Sequence, residues 1–326
     1  MRSSRILSTG MYVPTTIVTN ADLATRVATS DEWIYSKLGI RERRIALSSE
    51  CTSDLGAAAA RQAIDRWGGN AESIGLIIVA TATPDRIAPS TACIVQRKLG
   101  FFSSFAFDIA AVCSGFLFGM ATAAQFVSTG VVDYALVIGA DTFSRITDWT
   151  RRDCVFFGDG AGAVILGPGR PDEGFLSYSL HSDGRGQDAF TVRGGGSERP
   201  ASLETIQMGQ HYFEMNGAEV YRNGIEKVPA TILESLSKVG LTCNDIDWII
   251  PHQPSIRILQ DSAQLLGVPF SKFCTSMERY ANTSGGTIPI VLNESFEEGK
   301  FKPGDILAFA AIGSGWTWGS IIYRWV

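Results

Sequence analysis

Apolar residues along the chain fall into two kinds of pattern. Three runs are apolar almost without interruption, and each predicts a buried β-strand: residues 74–81, 134–139 and 247–251. Residues 53–67 and 92–99 instead place their apolar positions with the spacing of an amphipathic α-helix. Buried strands that alternate with helices predict an α/β fold with a largely parallel sheet.

The order of features repeats along the chain. In the first half a predicted strand at Phe105–Ile109 leads to Cys113 and a helical pattern, and glycines at 158–162 later precede an apolar strand. In the second half residues 272–276 lead to Asn282 and another helical pattern, and glycines at 313–319 precede an apolar strand. We therefore predict two pseudo-duplicated halves, residues 1–170 and 171–326. A polar, glycine-rich stretch at 184–200 predicts a long surface excursion near their join.

Composition and charge narrow the class of protein. The chain has 326 residues, 45% hydrophobic and 19% charged, with a formal net charge of −5. This is the composition of a globular protein, and its acidity argues against a broad nucleic-acid or anionic-membrane surface. The first ten residues lack the apolar core of a signal peptide, and no apolar stretch has the length of a membrane span, so we expect a cytoplasmic protein. The six cysteines form no Cys-x-x-Cys pair, so we expect free thiols and no metal site.

Cys113 is the candidate nucleophile. It follows a strand-like run and stands where a helical pattern begins. A thiol at a helix N-terminus feels the positive end of the helix dipole, which favours the thiolate. The alternative is a buried, inert thiol, since free cysteine is among the most buried residue types.

Two further residues are candidate partners of Cys113. His252 ends a predicted strand, where open α/β sheets assemble their sites, and the chain has only three histidines in all. The alternative for His252 is a hydrogen-bonded structural role. Asn282 stands at the point of the second half that we match to Cys113, which would bring two helix starts face to face in one composite site. Its alternative role is a helix N-cap.

The two glycine clusters need a different explanation from a nucleotide loop. A dinucleotide fingerprint follows a strand and opens a helix, whereas 158–162 precede an apolar strand, so we predict a hairpin turn there. The turn at 313–315 is predicted in the same way, and its backbone amides could form an oxyanion hole. The order Cys, His, Asn also suits a papain-like protease, but the local signature of that cysteine is absent.

Seven strings, in order, carry a resemblance over nearly the whole chain. The sequence resembles the β-ketoacyl-acyl-carrier-protein synthase III family of thiolase-fold condensing enzymes, which implies an α/β thiolase-like fold in α-β-α-β-α layers. The matching strings are Thr29-Ser-Asp-Glu-Trp-Ile34, Gly39-Ile-Arg-Glu-Arg43, Asp108-Ile-Ala-Ala-Val-Cys-Ser-Gly115, Phe157-Gly-Asp-Gly-Ala-Gly-Ala163, His252-Gln253, Asn282-Thr-Ser284 and Trp316-Thr-Trp-Gly319.

The resemblance implies a reaction in two stages. Cys113 would attack the thioester of an acyl-CoA, and malonyl-acyl carrier protein would then lose CO₂ and attack the acyl group. His252 and Asn282 would each offer an N–H to the malonyl thioester oxygen, and the amides of Cys113 and Ser314 would hold the oxyanion. No metal or redox cofactor is implied, since acyl-CoA enters as a substrate.

The resemblance also implies binding residues and partners. Trp33 and Arg152, less readily Arg151, would flank the CoA adenine. Gly217 and Ser255 would line the path of the CoA, and Arg222 and Arg257 would dock the acidic acyl carrier protein. The implied assembly is a homodimer, with no nucleic-acid or membrane partner.

Several residues depart from the family pattern. Ala88 stands where many members have a phenylalanine that reaches across the dimer and closes the acyl pocket, so we expect room for an acyl group larger than acetyl. Pro254-Ser255 replaces Ala-Asn, and Gly285-Gly286 replaces two alanines. These changes leave open a specialised paralogue with an unusual primer or acceptor, and acyl transfer without decarboxylation. The alternative outside the enzymes is a catalytically inactive scaffold.

Overall fold

Two β-sheets form the centre of the molecule. The computed structural model describes residues 3–326 of the chain. Within that range the strands are β1 (Ser3–Tyr12), β2 (Thr16–Thr19), β3 (Glu42–Ile45), β4 (Ile74–Ala80), β5 (Phe105–Ile109), β6 (Tyr134–Thr142), β7 (Asp159–Gly169), β8 (Gly174–Ser182), β9 (Phe190–Val192), β10 (Phe213–Met215), β11 (Trp248–Pro251), β12 (Ile306–Gly313) and β13 (Thr317–Arg324).

The helices lie in three layers around these sheets. They are α1 (Asn20–Ala24), α2 (Asp31–Leu38), α3 (Thr52–Trp67), α4 (Thr91–Leu99), α5 (Gly115–Ser128), α6 (Leu203–Gln207), α7 (Gly217–Ser237), α8 (Ile256–Leu266), α9 (Met277–Tyr280) and α10 (Thr287–Glu297). The strands at β4, β6 and β11 and the helices α3 and α4 are those that the apolar pattern predicts. α3 and α4 both end at a glycine in the left-handed conformation, with φ of 67° at Gly68 and 85° at Gly100.

The two sheets have the same strand order. One sheet runs β1-β7-β6-β4-β5, and the other, read from its far edge, runs β8-β13-β12-β11. The pairings match as well: β4 and β6 are parallel like β11 and β12, while β7 and β13 are antiparallel to both of their neighbours. The predicted duplication is therefore confirmed. In each sheet all strands but one run in the same direction, as a largely parallel sheet requires; the exceptions are β7 and β13, which the sequence did not reveal as antiparallel.

Three apolar cores separate the layers. α3 and α4 pack on the outer face of the first sheet through residues such as Leu55 and Val95. α5 and α10 lie between the two sheets, with Phe116 and Val291 in the core. α7 and α8 cover the outer face of the second sheet. This is the expected α-β-α-β-α arrangement, and it places the start of α5 against the start of α10 in the central layer.

The glycines at 158–162 do not form the predicted hairpin turn. Gly160 and Gly162 lie inside β7, whose partners are β1 and β6. A Cβ at Gly160 would come within 2.9 Å of Ile290, and one at Gly162 within 2.6 Å of Pro289. The glycines are therefore needed because α10 packs directly on the strand.

Two other predictions change in detail. Residues 272–276, which stand where the first half has the predicted strand Phe105–Ile109, form no strand, and only Phe273 bridges to Ile249 in parallel. The excursion at 184–200 contains a 3₁₀ turn at Gly184–Gly186 and β9, which pairs with β10. None of the helices within residues 3–326 is long and apolar enough to cross a membrane.

The two helix starts of the central layer have the same backbone but a different register from the one predicted. Val112 and Ser284 both open a 3₁₀ turn with positive φ, 45° and 51°, and α5 and α10 begin three residues later. Cys113 therefore matches Gly285. Asn282, the match we expected, stands three residues before Gly285, because it precedes its turn whereas the cysteine lies inside the other turn.

Candidate active site

Residues from both halves meet in one cavity of about 310 Å³. Cys113, His252 and Asn282 all line it, as does Ser314. The first half contributes the thiol, and the second half contributes the imidazole and the amide. The composite site expected from the sequence is therefore present as a single space.

Cys113 is held at the start of α5 by contacts from the second half. The turn after β12 packs on it so closely that a Cβ at Gly313 would lie 2.7 Å from the carbonyl oxygen of Ala111 and 3.0 Å from the amide nitrogen of Cys113. The thiol sulfur lies 3.7 Å from the hydroxyl oxygen of Ser284. Backbone of the second half therefore packs directly against the backbone that carries the nucleophile in the first half.

Burial decides the protonation of Cys113. Burial is the main cause that raises the pKa of the Cys113 thiol to about 12; a hydrogen bond with Ser284 lowers it, and the charge of Asp141 raises it. Burial therefore opposes the stabilisation of the thiolate that a helix start gives. The desolvation exceeds the stabilisation that a helix N-terminus gives to an anion.

Asn282 presents its amide NH₂ group to the cavity. Its backbone is fixed against the first half, since its N–H donates to the carbonyl of Phe156 at 3.1 Å and its carbonyl accepts from the N–H of Gly158 at 3.0 Å. Its side-chain oxygen accepts from the N–H of Ser284 at 2.8 Å. Because the oxygen is engaged in this way, the NH₂ group remains as the donor. Asn282 does not cap α10, whose N-cap is Gly286.

His252 is a neutral imidazole. It follows β11 directly, and its backbone N–H donates to the carbonyl of Ala310 at 2.8 Å. Burial lowers the pKa of the imidazole to about 3. Nδ1 lies 2.7 Å from the hydroxyl of Thr287, so Nε2 is the nitrogen without this contact.

Ser314 stands in the turn between β12 and β13, as expected for 313–315. Its hydroxyl donates to the carbonyl of Phe190 at 2.5 Å. Trp316 and Asp183 exchange two backbone hydrogen bonds, of 2.6 and 2.8 Å, which hold the turn to the end of β8. This fixed turn brings the Ser314 backbone to the wall that also contains Cys113.

The mouth of the cavity contains most of the expected CoA residues. Trp33, Gly217, Ser255 and Arg257 line the cavity. The guanidinium of Arg152 lies 3.8 Å from the centre of the Trp33 ring. Arg151 instead pairs with Asp153. Of the two candidate arginines, the structure therefore brings Arg152 to the tryptophan.

Three predicted residues need separate mention. Arg222 is exposed on α7 and does not line the cavity. Ala88 is exposed in the loop after β4 and is likewise outside the cavity of its own chain. The hydroxyl of Ser255 accepts from the N–H of Ile258 at 3.4 Å, so this side chain caps α8 as well as lining the cavity.

An aromatic wall beside Cys113 was not predicted. We use this term for Phe143, Phe157, Phe190 and Phe213, whose rings pack together with centroid distances of 4.4 Å for Phe143 with Phe157, 4.9 Å for Phe157 with Phe213 and 5.4 Å for Phe190 with Phe213. Phe157 and Phe190 face the cavity, and Phe156 and Met215 line it too. Phe190 comes from β9 in the excursion and Phe213 from β10 beyond it, and no apolar periodicity marks either residue.

Two family models match the chain. They are 3-oxoacyl-[acyl-carrier-protein] synthase III over residues 107–184 and its C-terminal model over residues 236–325. The chain belongs to the β-ketoacyl-acyl-carrier-protein synthase III family. It is therefore a condensing acyltransferase with the thiolase fold.

Relatives with this name match the whole length. The β-ketoacyl-[acyl-carrier-protein] synthase III of Paramagnetospirillum magneticum is 46% identical over 98% of both chains. That of Natranaerobius thermophilus is 44% identical over 100% of both chains. Among solved structures, 3-oxoacyl-[acyl-carrier-protein] synthase III from Aquifex aeolicus superposes with a TM-score of 0.91 at 36% identity, covering 99% of this chain and 100% of that one.

A solved structure from specialised metabolism is similar as well. The priming β-ketosynthase of the R1128 polyketide biosynthetic pathway superposes with a TM-score of 0.92 at 28% identity, covering 99% of this chain and 96% of that one.

Proposed function

We propose that this synthase condenses an acyl-CoA primer with malonyl-acyl carrier protein through an acyl group carried on Cys113. The observation that supports the proposal most directly is the meeting of Cys113, His252 and Asn282 in one cavity. The cavity contains a nucleophile on one side and two N–H groups on the other. These are the groups that acyl transfer and enolate stabilisation require.

In the first step the thiol of Cys113 loses its proton, and the thiolate sulfur attacks the acyl-CoA thioester. A new bond forms between the sulfur and the acyl carbon, the bond to the CoA sulfur breaks, and CoA leaves as a thiolate that takes up a proton from water. The oxyanion of the intermediate would lie between the backbone N–H groups of Cys113 and Ser314. Fixed amides are effective there because they need no reorganisation as charge develops.

In the second step malonyl-acyl carrier protein loses CO₂. The electron pair of the broken carbon–carbon bond becomes an enolate, and its oxygen accepts hydrogen bonds from the NH₂ of Asn282 and an N–H of His252. The enolate carbon then attacks the acyl carbon and returns the thiolate of Cys113. A neutral imidazole suits this role, since it donates a hydrogen bond without giving up the proton.

The mouth of the cavity supports the assignment of CoA. Stacking of Arg152 on Trp33 offers a cationic and an aromatic surface to an adenine nucleotide. Exposed Arg222 and Arg257 offer positive charge to an acidic carrier protein. Gly217 leaves space for a narrow arm, since nothing lies within 4 Å of where its Cβ would be.

The proposed assembly is a homodimer formed through the edge of the first sheet. β5 is the edge strand of that sheet, and Phe105 on it is 43% exposed. Ile87, in the loop after β4, is 90% exposed. An apolar edge strand is a template for pairing with a second copy. In such a dimer Ala88 would face the partner, which supports the proposal that it leaves room for a primer larger than acetyl.

A panel of acyl-CoAs tests the first step and the primer together. Each acyl-CoA is incubated with the protein, and the mass gained on the peptide that contains Cys113 is measured. We expect a covalent acyl adduct that is absent from Cys113→Ala and increases for primers longer than acetyl. An adduct on Cys113→Ala would overturn the assignment of the nucleophile.

Labelled malonyl-acyl carrier protein tests the second step. Condensation requires the release of ¹⁴CO₂ from the malonyl carboxylate, whereas acyl transfer to another acceptor does not. We expect release that depends on the acyl-enzyme. An acyl group that leaves Cys113 for the carrier protein without release of CO₂ would favour the transferase alternative.

A further inference from the structure

Asp141 is a fully buried carboxylate that the proposed reaction does not use. It lies on β6 two residues after Gly139, so the two residues face the same side of the sheet. On that side Gly139 packs on the carbonyl of Gly285, and Asp141 accepts a hydrogen bond from the N–H of Gly285 at 2.8 Å. A buried charge is costly unless hydrogen bonds compensate for the loss of water, so the partners of Asp141 indicate what it holds.

The two oxygens of Asp141 hold two different segments. Oδ1 accepts from the N–H groups of Ala82 and Thr83, at 2.8 and 3.1 Å, and from the hydroxyls of Thr81 and Thr83, at 3.0 and 2.8 Å. Oδ2 accepts from the N–H of Gly285. The carboxylate therefore joins the segment that follows β4 in the first half to the turn that precedes α10 in the second half.

The turn that Asp141 holds also orients Asn282. The N–H of Ser284 donates to the side-chain oxygen of Asn282 at 2.8 Å, and the N–H of the next residue, Gly285, donates to Asp141. Ser284 has a φ of 51°, a left-handed conformation that is costly for a residue with a side chain. The contact with Asp141 stabilises the turn in this conformation, and the NH₂ group of Asn282 is thereby left as the donor to the cavity.

An amide at position 141 could not hold both segments. Backbone N–H groups only donate hydrogen bonds, and they reach both oxygens of Asp141. An asparagine has one oxygen, which we expect to stay with the four donors of residues 81–83. Its NH₂ group would then face the N–H of Gly285. Asp141→Asn should therefore break the contact with the turn and keep the contacts with the first half.

We propose that Asp141 is a positioning residue that holds the turn after Asn282 and thereby places the NH₂ group of Asn282 for decarboxylation. This inference rests on the proposed function, in which that group donates to the enolate oxygen. Asp141 does not touch the substrate, and no proton is transferred to it.

The same carboxylate opposes the first step of the reaction. Burial and, to a smaller extent, the charge of Asp141 raise the pKa of the Cys113 thiol. Removal of the charge should therefore favour the attacking thiolate while the loss of the turn contact disfavours decarboxylation. The two steps should respond to Asp141→Asn in opposite directions, which a merely structural role would not produce.

Separate rates for the two steps test this proposal. For Asp141→Asn we expect ¹⁴CO₂ release from pre-acylated protein to slow on the order of 100-fold, the loss that a displacement of about 1 Å can cause. Acylation of Cys113 should be as fast as in the wild-type protein or faster. Asp159→Asn is the matched control, because Asp159 is an equally buried carboxylate that accepts from Ala46 and Ser144, and it should keep the wild-type ratio of the two rates. An Asp141→Asn protein in which CO₂ release is not the more strongly slowed step would overturn the proposal.

A backbone substitution tests the contact if Asp141→Asn does not fold. An ester in place of the amide between Ser284 and Gly285, made by cell-free translation with glycolic acid, removes the N–H and keeps the charge of Asp141. We expect slowed CO₂ release with acylation at the wild-type rate. Release of CO₂ at the wild-type rate from this protein would show that the contact does not position Asn282.

Crystal structures distinguish a failure of this proposal from a failure of the proposed function, because they need no reaction. In Asp141→Asn, or in the ester, we expect the turn at 284–286 and the amide of Asn282 to move while residues 81–83 stay in place. Asn282 in its wild-type position would overturn the proposal. A wild-type protein that forms no acyl-enzyme and releases no CO₂ contradicts the proposed function, while the crystal structures still decide whether Asp141 holds the turn.

Discussion

The two helix starts of the central layer share a backbone and differ in chemistry. In the first half the turn at 112–114 presents Cys113 to the cavity. In the second half Gly285 takes the matching position, and the functional side chain, Asn282, stands before the turn. A duplicated backbone has therefore kept its geometry while the reacting group moved by three residues.

The contacts around each turn explain this difference. A Cβ at Gly285 would lie 3.1 Å from the carbonyl oxygen of Ala80 and 3.2 Å from Asp141, so this position has no room for a reactive side chain. Cys113 instead faces the cavity. One turn is packed against strands and serves as a support, whereas the other opens to the substrate.

The two halves also brace each other in the same way. Gly139 on β6 packs on the turn of the second half, where its Cβ would lie 2.0 Å from the carbonyl oxygen of Gly285. Gly313, at the end of the matching strand β12, packs on the turn of the first half. Each half therefore fixes the functional group of the other.

The largest expected difference between the two turns is in pH dependence, because the acylation step uses Cys113 at the first turn and the release of CO₂ uses Asn282 before the second. Because the pKa of the Cys113 thiol is about 12 and the thiolate is the attacking form, the reactive fraction rises as pH rises. We expect the single-turnover rate of acyl-enzyme formation to increase about tenfold per pH unit between about pH 7 and 9.

The second step should respond differently to pH. The pKa of His252 is about 3, so the imidazole is neutral throughout that range, and CO₂ release from pre-acylated protein should stay flat. An acylation rate that is already constant from about pH 7 upward would contradict the buried-thiol account.

Glycine-to-alanine substitutions at Gly139 and Gly313 should show that each half positions the functional group of the other half. Gly139→Ala and Gly313→Ala each force backbone apart, and we expect each to lower the free energy of unfolding by about 1–3 kcal/mol in chemical denaturation. Gly313→Ala should also slow acylation, and Gly139→Ala should also slow CO₂ release. Gly196→Ala is the control, since nothing lies within 4 Å of its added Cβ.

The opposite pairing of variants and slowed steps would contradict this account of how the halves contact each other. If Gly139→Ala slowed acylation and left CO₂ release unchanged, the loop that contains Asn282 would not be positioned by β6. Equal loss of both steps in both variants would indicate a general loss of folding.

The smallest effect is expected at the mouth of the cavity. Arg152→Ala removes the stacking on Trp33, and we expect KM for acyl-CoA to rise about two- to fivefold while kcat stays constant. Arg151→Ala is the matched control, because Arg151 pairs with Asp153 instead. If KM rises for Arg151→Ala and not for Arg152→Ala, Arg151 contacts the nucleotide and our assignment of Arg152 is wrong.

The parts of the fold that depend on local pattern were predicted well. Buried strands such as β4 and helices such as α3 have continuous or periodic apolar residues that a sequence reveals directly. The first residues of β7 were mistaken for a turn because their glycines make room for α10, which is distant along the chain. The one antiparallel strand in each sheet, β7 or β13, was not predicted because periodicity does not report strand direction.

The sequence identified the main residues of the site but not their electrostatic environment. The family strings located Cys113, His252 and Asn282, and the structure brings them together. The raised pKa of Cys113 follows from its burial in the folded chain, which the residues next to the cysteine in the sequence do not reveal. The aromatic wall was missed because Phe190 and Phe213 come from an irregular segment and meet Phe157 only in the folded chain.

The central claim is that one half carries the acyl group and the other half generates the enolate. The most direct test measures, in one protein, the mass of the acyl adduct on Cys113 and the ¹⁴CO₂ released from malonyl-acyl carrier protein. For Asn282→Ala we predict an adduct that forms at the wild-type rate together with a large loss of CO₂ release. An Asn282→Ala protein that fails to acylate, or that releases CO₂ at the wild-type rate, would contradict the account.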